Sequence, residues 1–508
     1  MSELPKGWTT SNLPKLISLD GVISDGDWIE SKDQDPNGNI RLIQLADIGD
    51  GKFLDKSSRY MNEDKASILR CTFLEEGDVL IARMPDPLGR ACIFPKIDSK
   101  AVTVVDICLV RVGSRAGVSN HLLKYWFNSP IIRNQIAMLA TGTTRKRITR
   151  KKLTELELPV PPYNEQIRIA NKLDSILAKV DKAQARLDKI PAILKRFRQS
   201  VLAAATSGEL TKEWRELNAE SVVDRDKIRI ERELIFQKKG KPVKEALPMS
   251  GSLEKELYDI PDNWGWFRAE EFCDLITKGT TPKKDKMDIS FSVPYIKVYN
   301  LTFDGSLDFS IEPTYVDRRT HESDLKRSIV YPGDVLMNIV GPPLGKVSIV
   351  PDSYPEWNMN QAIAVFRPVV SVNNRYLSLC LQSSRLLDVV KLRAKATAGQ
   401  FNLTLEICRD YPIPLAPEQE QIEIVRQVDR LLNTANKVEK QYLDAKTRLD
   451  RLTQSILAKA FRGELVPQDP NDEPAEKLLE RIVAEKELNK PKKAANKRTT
   501  KAKTVEKE

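Results

Sequence analysis

Residues 158–210 read LPVPPYNEQIRIANKLDSILAKVDKAQARLDKIPAILKRFRQSVLAAATSGEL, and residues 413–465 read IPLAPEQEQIEIVRQVDRLLNTANKVEKQYLDAKTRLDRLTQSILAKAFRGEL. The two segments align without a gap at a constant offset of 255 residues. A gapless match of this length is hard to obtain by chance, and similarity at a fixed offset indicates an internal repeat. The chain is therefore a duplication.

Shorter landmarks extend the duplication toward the N-terminal side of both segments. Each half opens with a Leu/Ile-Pro-x-x-Trp motif, and the copies differ almost everywhere between the landmarks. One scaffold with two different surfaces is what two different ligands, or two different half-sites, would require. The matched stretches are 4–8 with 260–264, 77–80 with 333–336, 88–89 with 344–345, and 148–149 with 403–404.

The repeated segment has the periodicity of a coiled-coil helix. Its apolar residues alternate steps of three and four, and an average step of about 3.5 residues over four heptads is typical of a helical seam. An isolated helix of this kind is marginal in water, so the second copy is its natural partner. We expect an antiparallel pair with one globular domain at each end. The predicted pairing positions are Leu173, Ile176, Val180, Leu187, Leu194, Val428, Leu431, Val438, Leu449 and Leu452.

The sequence also predicts where these helices begin and end. Proline-rich sequence favours an extended approach to each helix, and Gly208 and Gly463 suit helix C-caps. Pro191 should kink or break the first helix near Lys189, because proline cannot donate the helical hydrogen bond. At about 1.5 Å per residue the first seam would span roughly 48 Å. This length suits two DNA sites separated by about one helical turn, roughly 34–36 Å.

The residues before each helix favour a mixed globular domain. Short β-branched and aromatic runs, such as 101–112 and 361–370, are broken by Gly, Pro and Asp, which favours strands joined by turns. Gly-Asp before Val-Leu, at 77–80 and 333–336, predicts a turn that leads into a buried strand. Helical patterns follow at 121–139 and 375–395, so the expected class is α+β with a pseudo-two-fold internal repeat. The predicted parts are a first globular domain (1–157), the first repeat helix (158–212), a connecting segment (213–259), a second globular domain (260–412), the second repeat helix (413–466) and a basic, disordered tail (467–508) that adds either phosphate attraction or solubility.

The composition indicates a basic protein of a reducing compartment. The formal net charge is +10 and 30% of the residues are charged, which favours a polyanionic partner without requiring one. The six cysteines include no Cys-x-x-Cys pair and the histidines number two, so no zinc site is expected. No apolar run is long enough to span a membrane and the first residues lack a signal-peptide core. We therefore expect a cytoplasmic protein with reduced thiols.

Three motifs resemble catalytic sites, and each lacks something that its chemistry needs. Residues 160–163 (VPPY) resemble a methyltransferase loop, but Val160 cannot hydrogen-bond a target amino group. Asp86, Asp98 and Lys100 fit the pattern of metal-dependent nucleases, but that pattern is so permissive that chance matches are routine, and Pro342 occupies the position of Asp86 in the second copy. Residues 341–346 imitate a phosphate-binding loop but are one residue short and lack the following Ser/Thr. No nucleophile with its base is apparent, so we predict no catalytic centre and no cofactor bound by this chain.

Binding chemistry is the remaining possibility. The first domain contains its densest basic cluster after Gly142, continuing through 150–152, whereas the second domain has neutral polar residues at the corresponding place. Arg and Lys can contact phosphate or guanine, while Gln and Asn can pair with adenine. A solvated loop packed on the helices is the alternative for any single residue. The candidate DNA-binding residues are Thr143, Thr144, Arg145, Lys146, Arg147, Gln400 and Asn402.

The sequence resembles the specificity subunits of type I restriction-modification systems. The resemblance is carried by the two Pro-Pro/Ala-Pro helix starts with their Glu-Gln pair, by the paired heptads, by the helix ends at 194–202 and 452–465, and by the Pro-x-x-Trp openings. It covers residues 4 to about 466, and it is strong in the helices and weak inside the globular domains.

The resemblance implies the partners and the division of labour. Each globular domain would be a target recognition domain that reads one half of a bipartite, asymmetric site in double-stranded DNA. The helices would set the spacing and dock two modification subunits, which carry S-adenosylmethionine and methylate adenine. Restriction subunits would use ATP and Mg²⁺ to translocate and cleave DNA. The chain itself would be non-catalytic.

Two other hypotheses remain open from the residues alone. In one, the chain is a self-sufficient nuclease that uses Asp86, Asp98 and Lys100. In the other, it is a structural coiled-coil adaptor without DNA contact. The first predicts cleavage of DNA by the isolated chain with Mg²⁺, and the second predicts no salt-dependent DNA binding.

Overall fold

The structure, a computed structural model, describes residues 4–85, 87–142, 145–240, 242, 254–341, 343–397 and 400–489. The chain divides into two compact units, Met1–Leu187 with Asp444–Glu508, and Asp188–Leu443. Each unit contains one globular domain together with a segment from both repeated helices. We call the first unit 1 and the second unit 2.

The repeated segments form the long helices that the periodicity predicts. The first repeat helix has two parts, Tyr163–Leu187 and Ile190–Ser207. The second is one helix of 43 residues, Glu418–Ala460. The interruption confirms the break predicted from Pro191, which lies in the first turn of the second part, where its missing N–H has no helical acceptor to lose.

The helix segments pack antiparallel within each unit. In unit 1, Leu173 is fully buried in one cluster with Ile456 and Ala460. In unit 2, Arg198 pairs with Glu439 at 2.7 Å. Later residues of the first repeat helix join a core with earlier residues of the second helix, because Val201 and Ala205 share a cluster with Ile424 and Val428.

The predicted seam positions differ in their burial. Leu173, Leu194 and Val428 are buried, and Ile176, Val180 and Leu431 are partly buried. Leu187 and Leu449 are half-buried. Val438 and Leu452 are 39% and 48% exposed and lie at the margin of any seam. Short helix segments that also pack on a globular domain do not present every heptad position to the other helix.

Each globular domain contains two sheets joined by helices, as the α+β class predicts. The larger sheet of each domain has four strands, and every neighbouring pair in it is antiparallel. The smaller sheet has three strands in the first domain and four short strands in the second, and one of its pairs is parallel in each domain. In the first domain, neighbouring strands of the larger sheet lie in the order Val22–Asp25, Ile107–Arg111, Val79–Ala82, Ala91–Ile93. Those of the smaller sheet lie in the order Arg59–Met61, Ile40–Ile43, Ala101–Thr103. In the second domain, neighbouring strands of the larger sheet lie in the order Cys273–Lys278, Ile363–Pro368, Val335–Asn338, Val347–Ile349. Those of the smaller sheet lie in the order Tyr315–Val316, Val293–Ile296, Trp357–Met359, Ile329–Val330.

Shorter elements complete both units. The opening strand of each half pairs with the strand just before its repeat helix, so Thr9–Ser11 pairs with Leu158–Val160 and Gly265–Arg268 with Pro412–Leu415. A further sheet joins Val340–Gly341, Gln400–Asn402 and Lys395–Thr397. The shorter α-helices are Leu13–Leu16, Glu63–Ile68, Asn120–Asn128, Pro130–Leu139, Arg150–Thr154, Lys212–Glu216, Arg225–Lys238, Ala269–Phe272, Arg318–Glu322, Asn374–Gln382, Ser384–Lys391, Leu405–Arg409 and Ala475–Leu488.

A buried hydrogen bond links two of the repeated sequence landmarks. The indole N–H of Trp8 donates to Glu165 at 3.0 Å, and that of Trp264 donates to Glu420 at 2.8 Å. The tryptophan that opens each half is thus bonded to the glutamate that begins the helix. This contact explains why the two motifs occur together in both copies.

The repeated Gly-Asp turn is held by a buried ion pair. Asp78 accepts two hydrogen bonds of 2.8 Å from Arg111, and Asp334 accepts bonds of 2.7 and 2.6 Å from Arg367. Both aspartates precede fully buried strands, which confirms the predicted turn before a core strand.

The tail prediction is wrong for residues 475–488, which form a helix on unit 1. Ala475 and Ile482 are buried, and Leu479 joins the same core at its margin. Lys486 donates to the carbonyl of Pro14 at 2.7 Å. Apolar residues spaced by four and three give the helix one apolar face despite its high charge. The remaining part of the predicted tail, 490–508, lies outside the described residues.

The C-terminal helix has a counterpart in unit 2. The helix Arg225–Lys238 contacts the short helix Ala269–Phe272, as Ala475–Leu488 contacts Leu13–Leu16. The two short helices each follow the opening strand of their half. The structural repeat is therefore longer than the sequence repeat.

Within the described ranges, no helix combines the length and apolar character needed to cross a bilayer.

Candidate DNA interface

In the first domain, several loops meet at one end of the four-stranded sheet. The N–H of Gly26, just after the first strand, donates to the carbonyl of Ile107 at 2.8 Å. The N–H of Ile148 donates to the carbonyl of Arg83 at 3.1 Å. These bonds bring the loop after Asp25 and the predicted basic segment to the same sheet end.

The second domain repeats this arrangement with different residues. The N–H of Gly279 donates to the carbonyl of Ile363 at 3.0 Å, and that of Leu403 donates to Ile339 at 2.8 Å. We call this region of each domain the sheet-end surface. It comprises residues 25–30, 83–85, 104–106 and 145–150 in the first domain, and 278–287, 339–341, 360–362 and 400–403 in the second.

The predicted basic cluster of the first domain lies on its sheet-end surface. Arg145 and Lys146 are exposed. Arg147 exchanges backbone hydrogen bonds of 2.8 and 2.9 Å with Thr141, and its guanidinium lies 3.6 Å from Asp106. Arg147 is thus partly neutralised, while Arg145 and Lys146 are available to solvent. Thr143 and Thr144 lie outside the described residues.

Arg83 fixes the base of this surface. Its side chain is 4% exposed and its guanidinium lies 2.9 Å from Asp25, whose other oxygen is 3.8 Å from Arg150. Burial lowers the pKa of the Arg83 guanidinium, and Asp25 opposes that effect. Since Arg83 is enclosed, we assign it to holding the loops together and not to contact with a ligand.

Trp28 is the largest exposed apolar side chain on the first sheet-end surface. It is 68% exposed, and its indole N–H lies 3.3 Å from Glu30. An exposed aromatic face of this kind can stack on bases or cover sugar surface. The sequence prediction omitted it, because a lone tryptophan in an acidic loop carries no motif.

In the second domain, Asn402 lies on the sheet-end surface. It is exposed and pairs in register with Val340. Gln400 belongs to the same strand. The same sheet-end surface contains two polar residues that the sequence prediction missed, Asn360 and Thr281. The Asn360 amide donates a hydrogen bond to the Thr281 hydroxyl at 3.3 Å. Aligning the end of the first strand in both copies would have identified Thr281 as the counterpart of Trp28.

The described residues of the three motifs that resemble catalytic sites lie in other structural contexts. Residues 160–163 are the end of a strand followed directly by the first repeat helix. Residues 341–346 precede the strand Val347–Ile349, whereas a phosphate-binding loop precedes a helix. Asp98 is exposed and Lys100 pairs with Glu63. Asp86 lies outside the described residues.

Metal-ligating clusters and reactive thiols are the other features that could indicate chemistry. Among the described residues, no three His, Cys, Asp or Glu side chains cluster as metal ligands. Five of the six cysteines are buried. Burial raises the pKa of the Cys108 and Cys380 thiols to about 12, so they stay protonated and unreactive at neutral pH.

Comparisons with known proteins agree with this architecture. The sequence profile of the family described as "Type I restriction modification DNA specificity domain" matches residues 5–192 and 261–445. The type I restriction enzyme EcoDI specificity subunit of Escherichia coli is 32% identical over 390 residues, which cover 74% of this chain and 79% of that protein. The EcoBI specificity subunit of Escherichia coli is 33% identical over 371 residues, which cover 70% of each.

Solved structures share the fold. A chain from a study of complex assembly and conformational transition in a type I R-M system superposes with a TM-score of 0.61 at 19% identity, covering 91% of this chain and 100% of that one. The HsdS subunit from Thermoanaerobacter tengcongensis gives 0.50 at 19% identity, covering 91% and 98%. Two profile matches, one on each half of the duplication, and curated relatives along most of the chain lead to one conclusion: the chain belongs to the family of type I restriction-modification specificity subunits.

Proposed function

We propose that the chain is the DNA-recognition subunit of a type I restriction-modification complex. Its two target recognition domains, residues 1–157 and 260–412, would each read one half of a bipartite, asymmetric target in double-stranded DNA. The observation that carries this proposal is one scaffold with two different sheet-end surfaces, basic and aromatic in one copy, and rich in lysine, threonine and amide in the other. Base edges are distinguished by such side chains, while phosphate contacts set the register.

The remaining parts of the chain receive supporting roles in this proposal. The repeat helices, 158–212 and 413–466, would set the distance between half-sites and dock two modification subunits and the restriction subunits. The helices Arg225–Lys238 and Ala475–Leu488, which pack on the two globular domains, would brace them. We assign no catalysis and no cofactor to this chain. S-adenosylmethionine, ATP and Mg²⁺ would be bound by the partners, in the cytoplasm.

The candidate base- and phosphate-contacting residues follow from the sheet-end surfaces. Arg145, Lys146 and Trp28 are exposed in the first domain, and Asn402 and Thr281 in the second. The predicted residues Thr143, Thr144, Arg147 and Gln400 remain candidates in the same segments. A self-sufficient nuclease is not favoured by any observation, since Lys100 is engaged with Glu63.

The proposal predicts a methylation pattern that depends on this chain. Cells that express the chain with its modification subunits should carry adenine methylation at one bipartite motif, and deletion of the chain should remove it. The measurement is single-molecule sequencing of genomic DNA from both strains. A genome in which no bipartite motif depends on the chain would overturn the proposal, whereas cleavage of DNA by the isolated chain with Mg²⁺ would favour the nuclease.

A further inference from the structure

The second sheet-end surface carries a cluster of basic residues that the sequence analysis did not predict. Lys278, Lys283 and Lys284 are exposed, and none of them is within 4.0 Å of a carboxylate among the described residues. Lys286 is also exposed, and it adds to hydrogen bonds from Thr320 in lowering the pKa of Asp317. The loop also contains the exposed Asp285, so residues 278–286 hold four lysines and one carboxylate, and the three lysines named first have no ion-pair partner among the described residues.

The loop that carries these lysines is fixed at both ends. Beyond the bond from Gly279, the N–H of Thr280 donates to the carbonyl of Met359 at 3.2 Å. At its far end, Met287 forms a bridge with Val316. Between these points the chain makes the 3₁₀ turn Lys284–Lys286. An anchored loop presents its charges with less loss of conformational entropy than a flexible one.

Two further cations lie beside this loop. Lys326 and Arg327 are exposed in the 3₁₀ turn Lys326–Ser328, which contacts the strand Cys273–Lys278. The turn leads into Ile329–Val330, which pairs with Trp357–Met359, the strand that also accepts from Thr280. The same strand end thus gathers cations from two separate segments. We call residues 278–286 with Lys326 and Arg327 the lysine surface.

The first domain places its charge differently. Its loop at the position of 278–286 contains Asp27, Glu30 and Asp33 with one lysine, Lys32, which pairs with Glu30, whereas its exposed basic cluster lies on the neighbouring segment around Arg145 and Lys146. In the second domain the neighbouring segment 400–403 has no charged residue. Each domain therefore has one basic segment at its sheet end, but on different, adjacent loops.

We propose that the lysine surface is a binding site for the DNA phosphate backbone, and that it does for the second half-site what the segment around Arg145 does for the first. This inference rests on the proposed function and adds to it which residues of the second domain hold the DNA. Exposed lysines act as point charges on phosphates without reading bases. They should therefore govern affinity and its salt dependence, and leave the recognised sequence unchanged.

The test compares two charge-matched double variants of the full chain, Lys283→Gln/Lys284→Gln and the control Lys238→Gln/Lys437→Gln. The control lysines are exposed on the helix Arg225–Lys238 and on the second repeat helix, away from the sheet end. Binding of a fluorescein-labelled duplex of arbitrary sequence is measured between about 50 and 200 mM KCl. The slope of log K against log salt is negative, and the loss of two phosphate contacts should make it shallower by about 1.8 and weaken binding roughly tenfold at 200 mM.

The outcomes separate the inference from the function on which it rests. If log K for Lys283→Gln/Lys284→Gln falls less steeply with log salt than that of the wild type, and the control variant behaves like the wild type, the inference of a phosphate-binding lysine surface is supported. Wild-type slopes for both variants, or equal losses in both, overturn it while leaving DNA recognition intact. If the wild-type chain does not bind the duplex at any salt concentration, the inference is overturned, whereas the proposed function is judged by the methylation pattern of cells that also carry the modification subunits.

Discussion

Leu173→Asp is expected to unfold unit 1. Leu173 is fully buried among Ile169, Ile456 and Ala460, where both helix segments meet the first globular domain. Truncating a buried leucine costs about 2–5 kcal/mol, and an unpaired carboxylate in the same place adds a desolvation cost. A total of at least about 4 kcal/mol is a large part of the stability of an ordinary domain. Urea unfolding followed by tryptophan fluorescence measures the loss.

Ile167→Asp provides the matched control on the same helix. Ile167 is 42% exposed, so the same substitution should change the free energy of unfolding by no more than about 0.5 kcal/mol. Limited proteolysis should then show cleavage within Met1–Leu187 only in the Leu173 variant. Equal destabilisation by both substitutions would show that the packing of this helix face is assigned incorrectly.

Glu420→Gln is expected to destabilise unit 2 by about 2 kcal/mol. The Glu420 carboxylate is fully buried and accepts hydrogen bonds from Trp264 at 2.8 Å, from Thr211 at 2.8 Å and from Arg215 at 2.9 Å. A neutral amide keeps one acceptor oxygen and turns an N–H group toward donors. Hydrogen bonds to charged groups contribute about 1.5–3 kcal/mol each, so their partial loss accounts for the effect. Thermal unfolding of the full chain measures it.

The equivalent substitution in unit 1, Glu165→Gln, should have a smaller effect. Within the described residues Glu165 accepts a hydrogen bond from Trp8, and burial raises its pKa above the ordinary value of 4.5. A raised pKa means that the folded state binds the proton more tightly, so this contribution to stability is complete below pH 4.5 and is lost as the pH rises through the folded pKa. The wild type should therefore gain stability relative to Glu165→Gln on acidification. An opposite trend, or equal losses at Glu165 and Glu420, would contradict this account.

The sequence predicted the scaffold well because the scaffold is repeated and periodic. The heptads predicted both long helices, Pro191 predicted the interruption, and the Gly-Asp turns predicted the buried strands. Each of these signals is local, since it depends on backbone geometry or on the spacing of apolar residues along one element. The contact between Trp8 and Glu165 joins two such signals across the chain, and spacing alone does not reveal it.

The sheet-end surfaces could be predicted only in part. The basic run at 145–147 is contiguous and was recognised, but the lysine surface combines residues near 283 with Lys326 and Arg327, which only the sheet topology brings together. The C-terminal helix was missed because its apolar face is narrow and its composition is as charged as that of a disordered segment. In both cases the result depends on tertiary packing, which places distant basic residues side by side and provides a surface on which a highly charged helix can pack.

The central claim, that two domains on a duplicated scaffold read separate half-sites, is tested most directly by exchanging residues 260–412 for those of a relative. The measurement is the methylated motif in cells that carry the exchanged chain and the native modification subunits. The account predicts that one half of the motif changes, while the other half and its methylation remain as in the wild type. A motif that changes in both halves, or in neither, would contradict it.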